Sequence, residues 1–266
     1  MLSIVTDEVS YDLETAVSLG WKWGLREFEL RRVYLERAPF YPEAFYELLP
    51  SLRKTYEGIR FVAVSPGLFK CDPGHWCVSH HAGEKLDASF RLAEVVGCRQ
   101  VIVFGFERPA GKPREARPPQ GVVDRLGRAA EKARAAGFTL AIEIEGGAYA
   151  DCGSAAAELV EAVGSPALGV NMQRWDPVAT GESWDQGFER VRRHVRHMHY
   201  HGINAPEFGG VEPGKDFGWA RKIAALKADG YNGNISVETH LKPRLERSEA
   251  VLAALRRVLK EAGVAE

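Results

Sequence analysis

Cysteine is scarce. Four thiols (Cys71, Cys77, Cys98 and Cys152) in 266 residues cannot staple a chain of this length, so the fold must rest on a hydrophobic core, and the default role of the four is packing. An excess of either charge is also missing. Thirty-five Lys and Arg stand against 36 Asp and Glu, giving a formal net charge of −1, and no basic tail is available to track a phosphate backbone. Nucleic acid is therefore disfavoured as a partner. No apolar run reaches the length of a membrane span, and the opening MLSIVTDE has neither the basic start nor the long apolar stretch of a secretory leader. The expectation is a cytoplasmic protein without a membrane partner.

What is present is an alternation. Short β-branched runs at residues 2–6, 26–30, 60–64, 100–104, 139–144, 167–171, 195–200 and 234–238 are separated by longer amphipathic stretches such as 83–96 and 122–136. Several of the runs are continuously apolar, as strands covered on both faces must be. Eight βα units in 266 residues predict a single-domain (β/α)₈ TIM barrel over residues 1–266, of the α/β class. Glycines at 20, 97, 137 and 230 follow helical stretches, where a left-handed cap ends a helix before the next strand. The competing architecture is an open doubly wound sheet, but the first strand lacks the glycine-rich phosphate loop of a dinucleotide site. No internal repeat is apparent. One long turn-rich segment, residues 107–120, carries Pro109, Pro113, Pro118 and Pro119 beside Arg108, Arg114 and Arg117. It follows the fourth strand and is read as a lid, a subunit contact or a solvated connector.

In such a barrel the strand C-termini line the mouth, and here they are rich in metal ligands. The second strand offers Glu29 and Arg31, the fifth Glu143 and Glu145, the sixth Asn171, Gln173 and Asp176, the seventh His197, His199 and His201, and the eighth Glu238 and His240. Carboxylates at the ends of apolar strands need a cation or a basic partner, which favours one divalent metal. Oxygen donors with an imidazole suit Mn²⁺, Mg²⁺ or Co²⁺, and Zn²⁺ is accommodated as well.

The segments LAIEIE (140–145), GVNMQRWD (169–176), HMHYHG (197–202) and GYNGNISVETH (230–240), with Thr6-Asp7-Glu8 and Glu29-Leu30-Arg31, resemble the xylose-isomerase-like sugar phosphate isomerase/epimerase superfamily over nearly the whole chain. The resemblance implies metal ligands at Glu143, Gln173, His199 and Glu238. It also implies proton transfer next to a carbonyl through an enediolate, with Glu143 and Glu238 as the acid/base pair. Residues Glu29, Arg31, Glu145, Asp176, His197, His201 and His240 are then candidates to bind the substrate or to hold the ligands in place. One position departs from the pattern. The family commonly has Asp followed three residues later by His, whereas this chain has Gln173 followed by Asp176, so the charge has moved about one helical turn.

The substrate class implied is a small sugar or polyol. A lyase or dehydratase acting on a keto-sugar or keto-polyol through the same site is the alternative, and a non-catalytic sugar-binding or accessory subunit is a further one, motivated by Gln173. Barrels of this resemblance often pair or form tetramers, so a homo-oligomer is expected. Structural salt bridges are the plainer account of Glu143 and Glu238, and His197, His199 and His201 share strand parity but cannot all ligate one ion. The cluster of Cys71, His75, Cys77, His80 and His81 matches no common zinc spacing and is read as a pocket-shaping loop. Phe69, Trp76, Trp175 and Trp219 are candidates for an apolar wall against a sugar ring.

Overall fold

Eight apolar runs separated by helices form eight strands that close on themselves. The computed structural model describes residues 2–109, 111, 117–202 and 217–264. In chain order the strands are β1 (Leu2–Val5), β2 (Glu27–Leu30), β3 (Arg32–Val33), β4 (Glu36–Arg37), β5 (Arg60–Leu68), β6 (Gln100–Phe104), β7 (Thr139–Glu143), β8 (Leu168–Met172), β9 (Val195–Tyr200) and β10 (Ile235–Val237). The pair β3–β4 is a small antiparallel hairpin. The other eight form a closed barrel in the order β1-β10-β9-β8-β7-β6-β5-β2. The helices are α1 (Thr6–Val9), α2 (Leu13–Lys22), α3 (Glu43–Thr55), α4 (Cys77–His80), α5 (Leu86–Val96), α6 (Gln120–Ala135), α7 (Gly153–Val163), α8 (Pro177–Thr180), α9 (Trp184–Val191), α10 (Trp219–Ala228) and α11 (Arg244–Glu261). The expected α/β barrel is present, and no described helix is long and apolar enough to cross a membrane.

The chain divides into two compact units, one of Met1–Arg37, Tyr41–Val62 and Met198–Glu266, the other of Ala38–Phe40 and Ala63–His197. In the first, β1 pairs in parallel with β2 and β10, setting Val5 opposite Glu29 and Ile4 opposite Val237. The Oγ atoms of Ser3 and Ser236 share a hydrogen bond of 2.8 Å inside this arc, so a polar pair satisfies itself where both faces are covered. In the second unit β6, β7 and β8 run in parallel register, with Phe104 opposite Glu143 and Glu143 opposite Asn171. Ala63, Ile102 and Ala141 pack together as a core cluster. Helices α7 and α9 of this unit touch where Gly153 faces Gly187, and a Cβ on Gly153 would fall within the backbone of Gly187. Only glycine permits that approach.

Gly97, Gly137 and Gly230 take the left-handed conformation after their helices, as the sequence predicts. Gly20 does not. It lies inside α2, where a Cβ would press on the Phe28 ring at 2.5 Å, so its smallness serves helix-to-strand packing rather than termination. The segment at 107–120, read as a lid, a subunit contact or a solvated connector, is described in part: Arg108 donates to Asp151 and to the carbonyl of Ala148, which ties the start of the loop down, while Pro113 and Arg114 lie outside the described residues.

Candidate active site

Of the carboxylates buried in the first unit, four lie at or just beyond the C-terminal ends of strands: Asp7, Glu8, Glu29 and Glu238, none more than 3% exposed. Their positions follow from local structure. Asp7 and Glu8 sit on α1, which starts directly after β1, Glu29 is the penultimate residue of β2, and Glu238 follows β10 directly. Charges this deep need counter-charges, and the same strand ends supply them.

Arg31, one residue past β2, is the hub. Its Nε donates to Asp7 Oδ1 at 3.0 Å and its Nη2 to Asp7 Oδ2 at 3.0 Å, a bidentate pair matched to the planar guanidinium. Nη2 also reaches Glu8, and Nη1 reaches Glu238. Burial works against the charge on Arg31, but the carboxylates of Glu238 and Asp7 outweigh it and raise its pKa. Glu8 is held further by Thr239 Oγ1 at 2.9 Å and by the backbone N–H of His240 at 3.0 Å. Burial resists the charge of Glu8, yet the hydrogen bond from His240 and the charge of Arg31 lower its pKa to about 2.

His199 lies between two carboxylates. Its Nε2 is 3.0 Å from Glu29 Oε1 and its Nδ1 2.7 Å from Glu238 Oε2. Burial opposes a charge on the ring, but Glu238 and Glu29 hold its pKa well above the usual range. His201 Nε2 stands 3.3 Å from Glu238 Oε2, and His240 bridges Glu8 (3.2 Å) and Glu238 (3.2 Å). Hydrogen bonds to Glu238 and then Glu8 raise the pKa of His240 to about 10. Burial likewise opposes the charge of Glu238, and His199 more than offsets it, holding the carboxyl well below its ordinary pKa. His201, Glu238 and His240 offer ligand atoms within 4.8 Å of one another. Such a concentration of carboxylate with three imidazoles suits a divalent cation, with Glu29 fixing the ring of His199 from behind.

In the second unit Glu143 ends β7 at 7% exposure, and Gln173 lies just past β8 at 5%. The amide of Gln173 has a fixed orientation, because Nε2 donates to the Ile144 carbonyl. Its Oε1 is left buried with no partner among the described residues. A buried amide oxygen without a donor is costly and is what a hard cation would satisfy. The residues therefore fit a metal on both counts.

The structure distinguishes among the remaining candidates. Asp176 is exposed and caps α8, accepting from Val178 N at 2.8 Å and Ala179 N at 3.3 Å, so the buried oxygen belongs to Gln173 and the shifted charge serves a helix end. Glu145 pairs with Lys70 at 2.7 Å, both partly exposed. Glu29 faces His199 rather than open space, and His197 is buried at 1%. Of the four aromatic wall candidates, Phe69 packs on Phe106 with centroids 5.0 Å apart, Trp219 packs on Tyr200, and Trp175 is buried. Trp76 alone of the four stands in solvent, 78% exposed. Sequence reasoning did not place Asp7 and Glu8 in the site. The signal was present, since two acidic residues directly after an apolar first strand have no other route to solvation.

Comparison with known proteins agrees with the fold. A search of curated proteins gave no match. Among solved structures the chain is similar to an L-ribulose 3-epimerase, at 18% identity and a TM-score of 0.69 over 98% of this chain and 95% of that one. It is similar to a probable 3-DHS dehydratase involved in petrobactin synthesis from Bacillus anthracis, at 16% identity and a TM-score of 0.67 over 96% and 98%. A xylose isomerase-like TIM barrel protein from Mycobacterium smegmatis in complex with magnesium matches at 14% identity and a TM-score of 0.64 over 92% and 89%. The family model of the xylose isomerase-like TIM barrel matches residues 17–262, and the chain belongs to that family.

Proposed function

We propose that this protein is a divalent-metal-dependent isomerase or epimerase of a small sugar or polyol-like substrate. The observation that carries the reading is the buried relay of Glu29, His199 and Glu238, in which one carboxylate orients the imidazole and leaves Nδ1 facing the other. His199 and Glu238, together with Glu143 and the unpartnered oxygen of Gln173, would hold the ion. Bound there, a divalent cation would supply Lewis-acid polarisation of the substrate carbonyl, which would ease loss of the adjacent proton. Glu143 removes that proton to give an enediolate, and Glu238 returns one to the neighbouring carbon or to the opposite face, giving isomerisation or epimerisation. Arg31 holds Glu238 in place while His201 and His240, at the less buried edge of the cluster, are set to bind substrate hydroxyls. Glu29 and Arg31 thus act as positioning residues in this reading.

A second reading is elimination, in which the same carbanion expels a β-hydroxyl. The likeness to a dehydratase, though only at the level of fold, keeps it in view. Metal content of the purified protein and of Glu238→Gln, followed by activity on ketoses and inositol-like ketones with product analysis, tests both. Near-stoichiometric Mn, Co, Mg or Zn that is lost in the variant, with turnover abolished in Glu143→Gln and in Glu238→Gln, is the expected result. Retained activity in both variants would refute the acid/base assignment, a dehydrated product would replace epimerisation by elimination, and failure to bind any supplied metal would leave only a sugar-binding role.

A further inference from the structure

The loop leaving β5, in the second unit, gathers groups that the proposed chemistry does not use. Cys71 Sγ and Cys77 Sγ lie 2.9 Å apart. Local hydrogen bonds impose the approach. Asp72 Oδ1 accepts from Gly74 N at 2.7 Å, the Asp72 carbonyl accepts from His75 N at 3.0 Å, and His75 Nδ1 accepts from Cys77 N at 3.3 Å, so the chain turns back and brings one thiol over the other. The Cys71 carbonyl is anchored by Glu107 N at 2.9 Å.

A separation of 2.9 Å is inside van der Waals contact for two sulfurs and outside the S–S bond of about 2.05 Å. A bridging zinc with Zn–S bonds of about 2.3 Å would spread two tetrahedral thiolates to about 3.8 Å, further apart than they are. The third group nearby, His81, has Nδ1 3.9 Å from Cys71 Sγ, but that nitrogen already accepts the Phe69 N–H at 3.1 Å. Phe69 is a buried residue with left-handed backbone, φ 63°, so releasing its N–H would leave a buried donor unpaired. The imidazole is therefore a poor third ligand, and the pair reads as a dithiol rather than a metal clasp.

We propose that Cys71 and Cys77 are a reversible redox site that closes to a disulfide on exchange with a low-molecular-weight disulfide such as oxidised glutathione. Cys77 loses its proton to solvent and attacks one glutathione sulfur, forming a mixed disulfide and expelling one glutathione thiolate. Cys71 then loses its proton and attacks the Cys77 sulfur, forming the internal bond and expelling the second glutathione. Two protein thiols are oxidised, one glutathione disulfide is reduced, and the two protons end on the released thiols. Burial first, and Cys77 second, push the pKa of Cys71 up, which leaves Cys77 as the first attacker. Closure would pin the segment just past β5 that carries Lys70 and its bridge to Glu145.

The test uses the full chain, equilibrated in glutathione buffers of increasing oxidation, quenched in acid, alkylated and weighed intact. The expected product carries two alkyl groups instead of four, retains no glutathione, and gives a peptide map that links residues 71 and 77 while Cys98 and Cys152, both buried, are the alkylated pair after denaturation. Cys71→Ser, shown folded by circular dichroism, should trap glutathione on Cys77, and Cys77→Ser should take up far less on Cys71. Four free thiols in the most oxidising buffer, or a link through a different cysteine, would overturn the proposal. Zinc that co-purifies with the wild type and is lost in Cys71→Ser would replace it with a metal site.

Discussion

Replacing Arg31 by Met keeps most of the side-chain volume and removes the charge that joins Asp7, Glu8 and Glu238. With the guanidinium side chain 13% exposed and the three carboxylates at most 4%, the network is buried, and removing one partner of a buried ion pair costs about 3–5 kcal/mol. At roughly 2–4 °C per kcal/mol for a domain of this size, the melting temperature should fall by about 6–20 °C, read by circular dichroism at pH 7 with and without chelator. The pH dependence separates lost charge from lost packing. In the variant the three carboxylates gain stability from protonation, while the wild type loses stability as its ion pairs are neutralised, so the deficit should narrow from pH 7 to pH 4. Arg31→Lys retains the charge but not the fork, and should fall between the two. A drop below about 3 °C, or a deficit independent of pH, would refute the electrostatic reasoning.

Glu8 has its pKa lowered from 4.5 to about 2, which stabilises the folded state by about 3 kcal/mol at neutral pH. Because the folded value is the depressed one, this stabilisation is complete above about pH 4.5 and disappears as the pH falls toward 2. The stability difference between wild type and Glu8→Gln, from denaturant titrations, should accordingly be flat above pH 4.5 and shrink below it. Gln173→Asp supplies a charged oxygen where the amide Oε1 lacks a partner, and should tighten divalent-metal binding by about tenfold or more by calorimetry; unchanged affinity would remove residue 173 from the ligand set. Gly153→Ala places a methyl group in the Gly187 backbone and should cost about 1–3 kcal/mol in urea unfolding, whereas Gly97→Val, where a Cβ would meet nothing within 4 Å, should act through backbone strain alone.

The barrel was legible because each strand is both apolar and bounded. Residues 100–104 and 195–200 coincide with β6 and β9, and the other six runs contain or overlap their strands within a few residues. The largest difference is β5, which continues to Leu68 through Pro66 and Gly67, residues that read as a turn yet are tolerated here beside a register shift. The ends of strands could be listed from the sequence, but not the direction of each side chain. Parity grouped His197, His199 and His201, and only packing separates the imidazole that joins two carboxylates from the one at the rim. Asp176 looked like a displaced ligand because spacing says nothing about capping, and the Pro177 that follows it is the helix-start signal that was available. The Arg31 hub was hidden for another reason: its partners are separated from it by 23, 24 and 207 residues, and no local pattern encodes such distances.

The order in which the chain leaves the ribosome bears on the buried carboxylates. Asp7, Glu8 and Arg31 emerge within the first 31 residues and can begin to neutralise one another at once. Glu29 must wait for His199, and the third partner of Arg31, Glu238, arrives later still on the segment whose strand β10 pairs with β1. A nascent chain that stops short of β9 would have to dehydrate Glu29 with no imidazole beside it, at several kcal/mol, so β2 has reason to stay hydrated until the last third is made. The imidazole that balances Glu29 thus arrives on one of the last two strands of the barrel to be made, which couples closure of the barrel to neutralising that carboxylate.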